Sequence, residues 1–163
     1  MSNDILNLVN KRIRRVYRAA AMGTIGFGDV VKIENKKYGM LDVPIYALHI
    51  QCSFRIRQGT NIIISNLDMF EPKEANVNYD EFDWDIFGNN LYDACAEKLN
   101  QMFDDNEIYV IAVDISEIFD LKITLSNKYI IEIFVNAPKD EEAWRFFGRE
   151  CDGSHFVVER GQT

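Results

Sequence analysis

Tyr46-Ala47-Leu48-His49-Ile50-Gln51-Cys52-Ser53-Phe54-Arg55-Ile56-Arg57 decides the fold class. Tyr46, Leu48, Ile50, Cys52, Phe54 and Ile56 fall on one side of a period-two pattern, and Ala47, His49, Gln51, Ser53, Arg55 and Arg57 on the other. An extended chain turns successive side chains to opposite faces, so this stretch reads as one half-buried β-strand. Gln58-Gly59-Thr60-Asn61 follows as a hairpin turn, and Ile62 to Ser65 as the returning strand.

Upstream, Asn35-Lys36-Lys37-Tyr38-Gly39 reads as another turn, with a short strand from Val30 to Glu34 before it. Gly23, Gly26 and Gly28 surround Ile25 and Phe27, which predicts a short strand closing in a turn at Gly28-Asp29. They match neither a G-x-G-x-x-G loop nor a P-loop. Ile5, Val9, Ile13, Val16 and Ala20 keep a helical spacing while Ile13, Arg15, Tyr17 and Ala19 alternate. A short helix over 3–10 followed by a strand through Tyr17 accommodates both.

Downstream, Phe87, Leu91, Cys95, Leu99 and Met102 form an apolar stripe, predicting the main helix over 86–103. Strands are expected over 107–115, 119–125, 129–135, 143–148 and 155–160, with Trp144 and Phe146 opposite Phe156 and Val158. Successive hairpins favour antiparallel pairing. The expectation is a single α+β domain over residues 1–163, mostly antiparallel sheet built of hairpins, with one long helix packed on it.

The composition is that of a globular domain: 163 residues, 47% apolar and 27% charged. Three cysteines, Cys52, Cys95 and Cys151, without C-x-x-C spacing, suggest reduced thiols and a cytoplasmic setting. No basic stretch precedes an apolar core at Met1-Ser2-Asn3-Asp4-Ile5, and no apolar run reaches a membrane span, so neither a secretory signal nor a membrane is expected. The net charge of −8 disfavours nucleic acid and favours basic partners.

Candidate chemistry is sparse. His49 and His155 are the histidines, and with Cys52 and Cys151 they make a formal zinc set. Residues three apart on a strand face opposite ways, so His49 and Cys52 do not converge, and no metal or other cofactor is expected. Cys151 and His155 flank an Asp152-Gly153 turn, which is the one possible nucleophile pair; a chance pairing is the preferred reading. Lys11, Arg12, Arg14, Arg15 and Arg18 crowd together, either as a docking patch or as a face paired internally with acids; the second reading is favoured.

The segment 68–85 is the opposite in charge. Asp68, Glu71, Glu74, Asp80, Glu81, Asp83 and Asp85 meet only Lys73, with Phe70, Tyr79, Phe82 and Trp84 interleaved. Charge steers a basic protein and aromatics anchor it, so Tyr79, Asp80, Glu81, Phe82, Asp83 and Trp84 are the partner-binding candidates. The competing readings are a loop whose aromatics turn inward and a calcium loop, although the D-x-[DN]-x-[DN]-G pattern is absent. His49, Gln51, Arg55 and Arg57, on the polar face of the long strand, form an alternative small-ligand or regulatory site.

Arg18-Ala19-Ala20-Ala21-Met22 with Phe27-Gly28, Ala47 to Arg55, Ser65-x-x-Asp68-x-Phe70, Glu142 to Phe147 and His155 to Val158 together resemble a group of small uncharacterised bacterial proteins. Some of that group look like immunity proteins of polymorphic toxin systems. The resemblance implies a non-enzymatic protein that neutralises a cognate toxin, and it transfers no catalytic residue. Phe54 departs from the group, which often has Trp there.

Overall fold

The computed structural model describes residues 4–149 and 154–161. Two antiparallel sheets carry the fold. Sheet I has the order β1 (Ile13–Ala19), β2 (Met22–Asn35), β3 (Gly39–Ile50), β9 (Glu142–Gly148), β10 (His155–Glu159). Sheet II has the order β5 (Asn61–Ser65), β4 (Ser53–Gln58), β8 (Tyr129–Phe134), β7 (Leu121–Leu125), β6 (Val110–Ile115). One α-helix, α1 (Leu91–Asp105), packs mainly on β1 and also touches β5. The expected α+β class, antiparallel hairpins and single long helix are all present.

The decisive stretch is two strands. β3 ends at Ile50 in sheet I, Gln51-Cys52 carries the chain across, and β4 begins at Ser53 in sheet II. Alternation survives the switch because both sheets turn one face to the same core: Leu48, Ile50, Cys52, Phe54 and Ile56 are all buried in one cluster spanning both sheets. Ala47, expected on the polar face, is buried as well.

Residues 22–35 also depart from expectation, forming one long strand where two short ones were predicted. The interruption at Gly28-Asp29 is a bulge, marked by a register shift between Phe27 and Val30 and by a Gly28 φ of +83°. Gly23 and Gly26 are not turn glycines. A Cβ at Gly23 would overlap the Phe54 ring, and one at Gly26 would overlap Pro44.

The helix starts five residues later than predicted from 86, and its buried stripe is shifted. Gly88 takes a φ of +88°, and the Asn90 side chain accepts the Asp93 N–H at 2.8 Å as an N-cap. Tyr92, Ala96, Leu99 and Phe103 therefore face inward, Leu91, Cys95 and Met102 are only partly covered, and Phe87 lies outside the helix. Asn100 then closes the open edge of β1 by accepting from Val16 N at 2.8 Å and donating to Val16 O at 2.9 Å.

The N-terminal segment reads much as expected: a 3₁₀ turn over Asp4–Leu8 leads into β1. Backbone bonds from Asn10 and Ile13 to Val110 and Ile108, and from Val110 to Lys11, stitch this entry to the start of β6. Register places Phe146 opposite Phe156 and Trp144 opposite Val158, as predicted. Among the described residues, no helix is long and apolar enough to cross a membrane.

Candidate functional site

Between the 3₁₀ turn Asn66–Phe70 and α1, the chain has no strand ladder to satisfy its backbone. An isolated bridge between Pro72 and Asn90 and a few turn bonds tie it together, and side chains add to them. Arg18, reaching over from β1, is the central one. Its Nε and Nη2 donate to the Asp93 carboxylate at 2.8 and 2.9 Å, Nη1 donates to Asp85 Oδ1 at 3.2 Å, and Nη2 also reaches the carbonyls of Trp84 and Asp85. The Arg18 and Asp93 side chains are each 4% exposed. The hydrogen bond to Asp93 raises the Arg18 pKa further, so its charge is permanent. Asp93 Oδ2 also accepts from Gly88 N, and Asn90 Nδ2 donates to Trp84 O. One buried cation thus fixes both ends of 84–93.

The aromatics of this segment divide. Trp84 is partly buried between the Phe70 ring, 5.0 Å between centroids, and the Arg18 guanidinium at 5.7 Å. Phe82 is partly buried and meets Tyr79 edge-on at 6.3 Å. An open groove of about 250 Å³ lies between Phe82, Val77, Lys73 and Asn89. Tyr79 is exposed, its hydroxyl donating to Glu71 at 2.9 Å, a bond that raises the phenol pKa. Ile86 and Phe87 are exposed, and Phe87 is 84% accessible. Asp80, Glu81, Asp83 and Asp85 are exposed around them. Among the described residues, no cation comes within ion-pair distance of Asp80, Glu81 or Asp83. Asp68 is used internally, accepting from Ser65 N at 2.8 Å.

Of the sequence candidates, Tyr79, Asp80, Glu81, Phe82, Asp83 and Trp84 do share one surface loop. Ile86 and Phe87 belong with them and were missed, because the helical stripe claimed Phe87. Gly88-Asn89-Asn90, a glycine followed by a capping asparagine, was the available signal for the break. Arg18 carried no individual signal within its basic cluster. That cluster is largely paired: Arg12 approaches Glu107, Arg14 approaches Asp29 and Arg18 holds Asp85 and Asp93.

The alternative set is not one site. His49 belongs to sheet I and Gln51 to the crossing, its N–H bound to Ala143 O, whereas Arg55 and Arg57 sit on sheet II, both bound to Glu132 at 2.6 and 3.0 Å. The chain crossing at Gln51-Cys52 separates them. His49 instead joins residues from the C-terminal hairpin. Its ring meets Phe147 edge-on at 4.9 Å, Phe147 stacks on His155 at 4.3 Å, and Arg145 contacts His155 Nδ1 at 3.2 Å while bonding Glu142. Burial, then Arg145 and Arg149, push the His49 pKa below its usual value, so the ring is neutral at pH 7. His49 opposite Arg145 is a register pair that sequence alone could not place.

Cys52 faces the core, opposite to His49, and burial drives its thiol up to about 12. Burial raises the Cys95 thiol too. Neither is an activated nucleophile. The Cys151–His155 pairing lies outside the described residues. Among the described residues, no group of three His, Cys, Asp or Glu side chains is placed to hold a metal.

No family model, no curated protein and no solved structure matches this chain.

Proposed function

We propose that this is a non-enzymatic, cytoplasmic binding protein that docks a basic protein partner on the acidic, aromatic loop of residues 79–87. Neutralisation of a cognate bacterial toxin, the role implied by the resemblance, is the form of binding that fits best. The observation that carries the proposal is Phe87: a phenylalanine 84% exposed beside four exposed carboxylates. Such a ring is costly to leave in water and suits an anchor. The Arg18 bonds hold its neighbours in place beforehand, which lowers the entropic cost of docking.

The partner is sought first in the product of a neighbouring toxin gene. Its association rate with the protein should fall with salt, and fall again when Asp80→Asn, Glu81→Gln and Asp83→Asn are combined. Phe87→Ala should instead raise the dissociation rate. Unchanged rates and salt dependence in both variants would reduce the loop to a solvated connection.

A second reading rests on the His49, Arg145, His155 and Phe147 cluster, which would suit a small anion on the outer face of sheet I. Phosphate titration followed through the imidazole resonances tests it, and unshifted resonances would dismiss it.

A further inference from the structure

Thr24 belongs to the outer face of sheet I. Its chain neighbours Gly23 and Ile25 turn inward, toward Phe54 and the core cluster. Alternation therefore sends the Thr24 side chain outward. Thr24 is nonetheless only 1% exposed, and among the described residues its Oγ1 has no hydrogen-bond partner. A buried hydroxyl left unbonded is costly, and register shows what stands nearest to relieve it. Thr24 pairs with Tyr17 on β1 and with His49 on β3, and His49 pairs in turn with Arg145 on β9. Directly opposed side chains have Cβ atoms about 4.5–5.5 Å apart, near enough for a hydroxyl and an imidazole nitrogen to bond. The His49 ring instead lies edge-on to Phe147 at 4.9 Å.

The two sides of His49 differ in chemistry. Arg145 and Glu142 face it from β9, Arg149 from just beyond β9, and His155 from β10. Glu142 is committed to Arg145 through two hydrogen bonds. From β2 comes Thr24, with the Tyr17 phenol behind it on β1. A neutral imidazole sits easily on the β9 side, where an imidazolium meets two guanidiniums. The β2 side offers an uncharged acceptor with both lone pairs free. A charged donor makes a stronger hydrogen bond than a neutral one, and both nitrogens of a protonated ring donate. Adding a proton therefore changes which side the ring prefers.

We infer that His49 is a two-position ring: neutral, it lies against Phe147 on β9; protonated, it turns to β2 and donates to Thr24 Oγ1. The turn gives up the edge contact on Phe147, which itself carries the His155 stack at 4.3 Å and the Arg149 cation at 5.4 Å. Trp144, Phe146 and Val158 stay buried on the inner face, so the C-terminal hairpin keeps its place while its outer surface changes. Burial, then Arg145 and Arg149, hold the His49 pKa below its usual value, so the turn belongs to acidic conditions. It is independent of the loop of residues 79–87.

NMR of the full chain, in buffer without phosphate, reads the ring's contacts on either side of the His49 titration midpoint. Above the midpoint the His49 ring protons should show cross-relaxation with the Phe147 ring. Below it they should show cross-relaxation with the Thr24 methyl, whose own shift should titrate with the same midpoint. Thr24→Val removes the acceptor and should lower that midpoint; Thr24→Ser keeps the hydroxyl and should leave it in place. Should Thr24→Val fail to fold, the wild-type contacts decide alone. A ring that stays on Phe147 throughout the titration would overturn the inference, as would a folded Thr24→Val with the wild-type midpoint. Unfolding of the wild-type chain before His49 takes up its proton would overturn it too, since the second position would then not exist.

Discussion

Residues 46–57 and residues 79–93 both interleave apolar and polar side chains, yet one becomes two framework strands and the other an exposed loop. In 46–57 strands β2, β9, β5 and β8 supply ladders on either side of the Gln51-Cys52 crossing, and Asn136 and Asn66 take the N–H groups of Ser53 and Phe54 there, so alternation converts directly into an inside and an outside. In 79–93 there is only one isolated bridge, Pro72 with Asn90, and a few turn bonds before α1, and Arg18 and Asn90 add side-chain bonds to the Trp84 carbonyl. Apolar pattern locates a side chain only where the backbone is already satisfied.

The largest test of the contrast is Phe54→Ala. Phe54 is buried against Tyr92 and fills the space left by Gly23. Truncation should cost ~3–5 kcal/mol in chemical denaturation. A loss well under that would mean the core repacks and the ladder side is softer than its burial indicates.

Removing the substitute for a ladder comes next. Arg18→Ala leaves the Asp93 carboxylate 4% exposed without its cation, which should cost about 3 kcal/mol. Hydrogen exchange should also quicken across 84–90 while staying slow in β3 and β4. Uniform quickening would show that Arg18 supports the whole fold and not the loop alone.

Acid should act mainly through the ladder faces. His49 is held below its usual pKa by burial, Glu132 by the hydrogen bond from Arg57, and Glu142 by that from Arg145. In each case the unfolded chain takes up the proton first as pH falls. The His49 contribution is therefore whole above about pH 6.5 and is lost as pH drops through its lower folded value. The two glutamates follow, below about pH 4.3. His49→Gln should remove the upper part of the decline in a stability–pH profile. An unaltered profile would place the upper loss elsewhere.

The smallest expected effect is the most diagnostic. Phe87→Ala should change stability by no more than about 0.5 kcal/mol, since an 84% exposed ring has little burial to lose. A clear loss would mean that Phe87 packs in solution and would remove it as an anchor.

What the sequence made legible follows the same division. The antiparallel hairpins, the buried row from Leu48 to Ile56 and the cross-strand pairs of Trp144 and Phe156 neighbours were readable, because period two is a local property. The sheet change at Gln51-Cys52 was not, because a strand crossing between two sheets with a shared core keeps its alternation. For the same reason His49 and Arg55 were grouped on one polar face when they belong to two sheets. Phe87 was misassigned because it extends the helical spacing of Leu91 and Cys95, and the spacing outweighed the Gly88 break. The anchoring by Arg18 depends on a contact between distant parts of the chain, which no local pattern carries.

The order of the strands in sheet I also governs how the chain can assemble during synthesis. β1, β2 and β3 lie within residues 13–50, but the neighbour of β3 is β9, which begins at Glu142. Until that hairpin emerges, the edge of β3 presents unpaired backbone groups beside Leu48 and Ile50, open to mispairing. Sheet II, drawn from residues 53–134, can close earlier. The C-terminal hairpin is thus the last part of sheet I to emerge, and His49 gains its register partner Arg145 only with it.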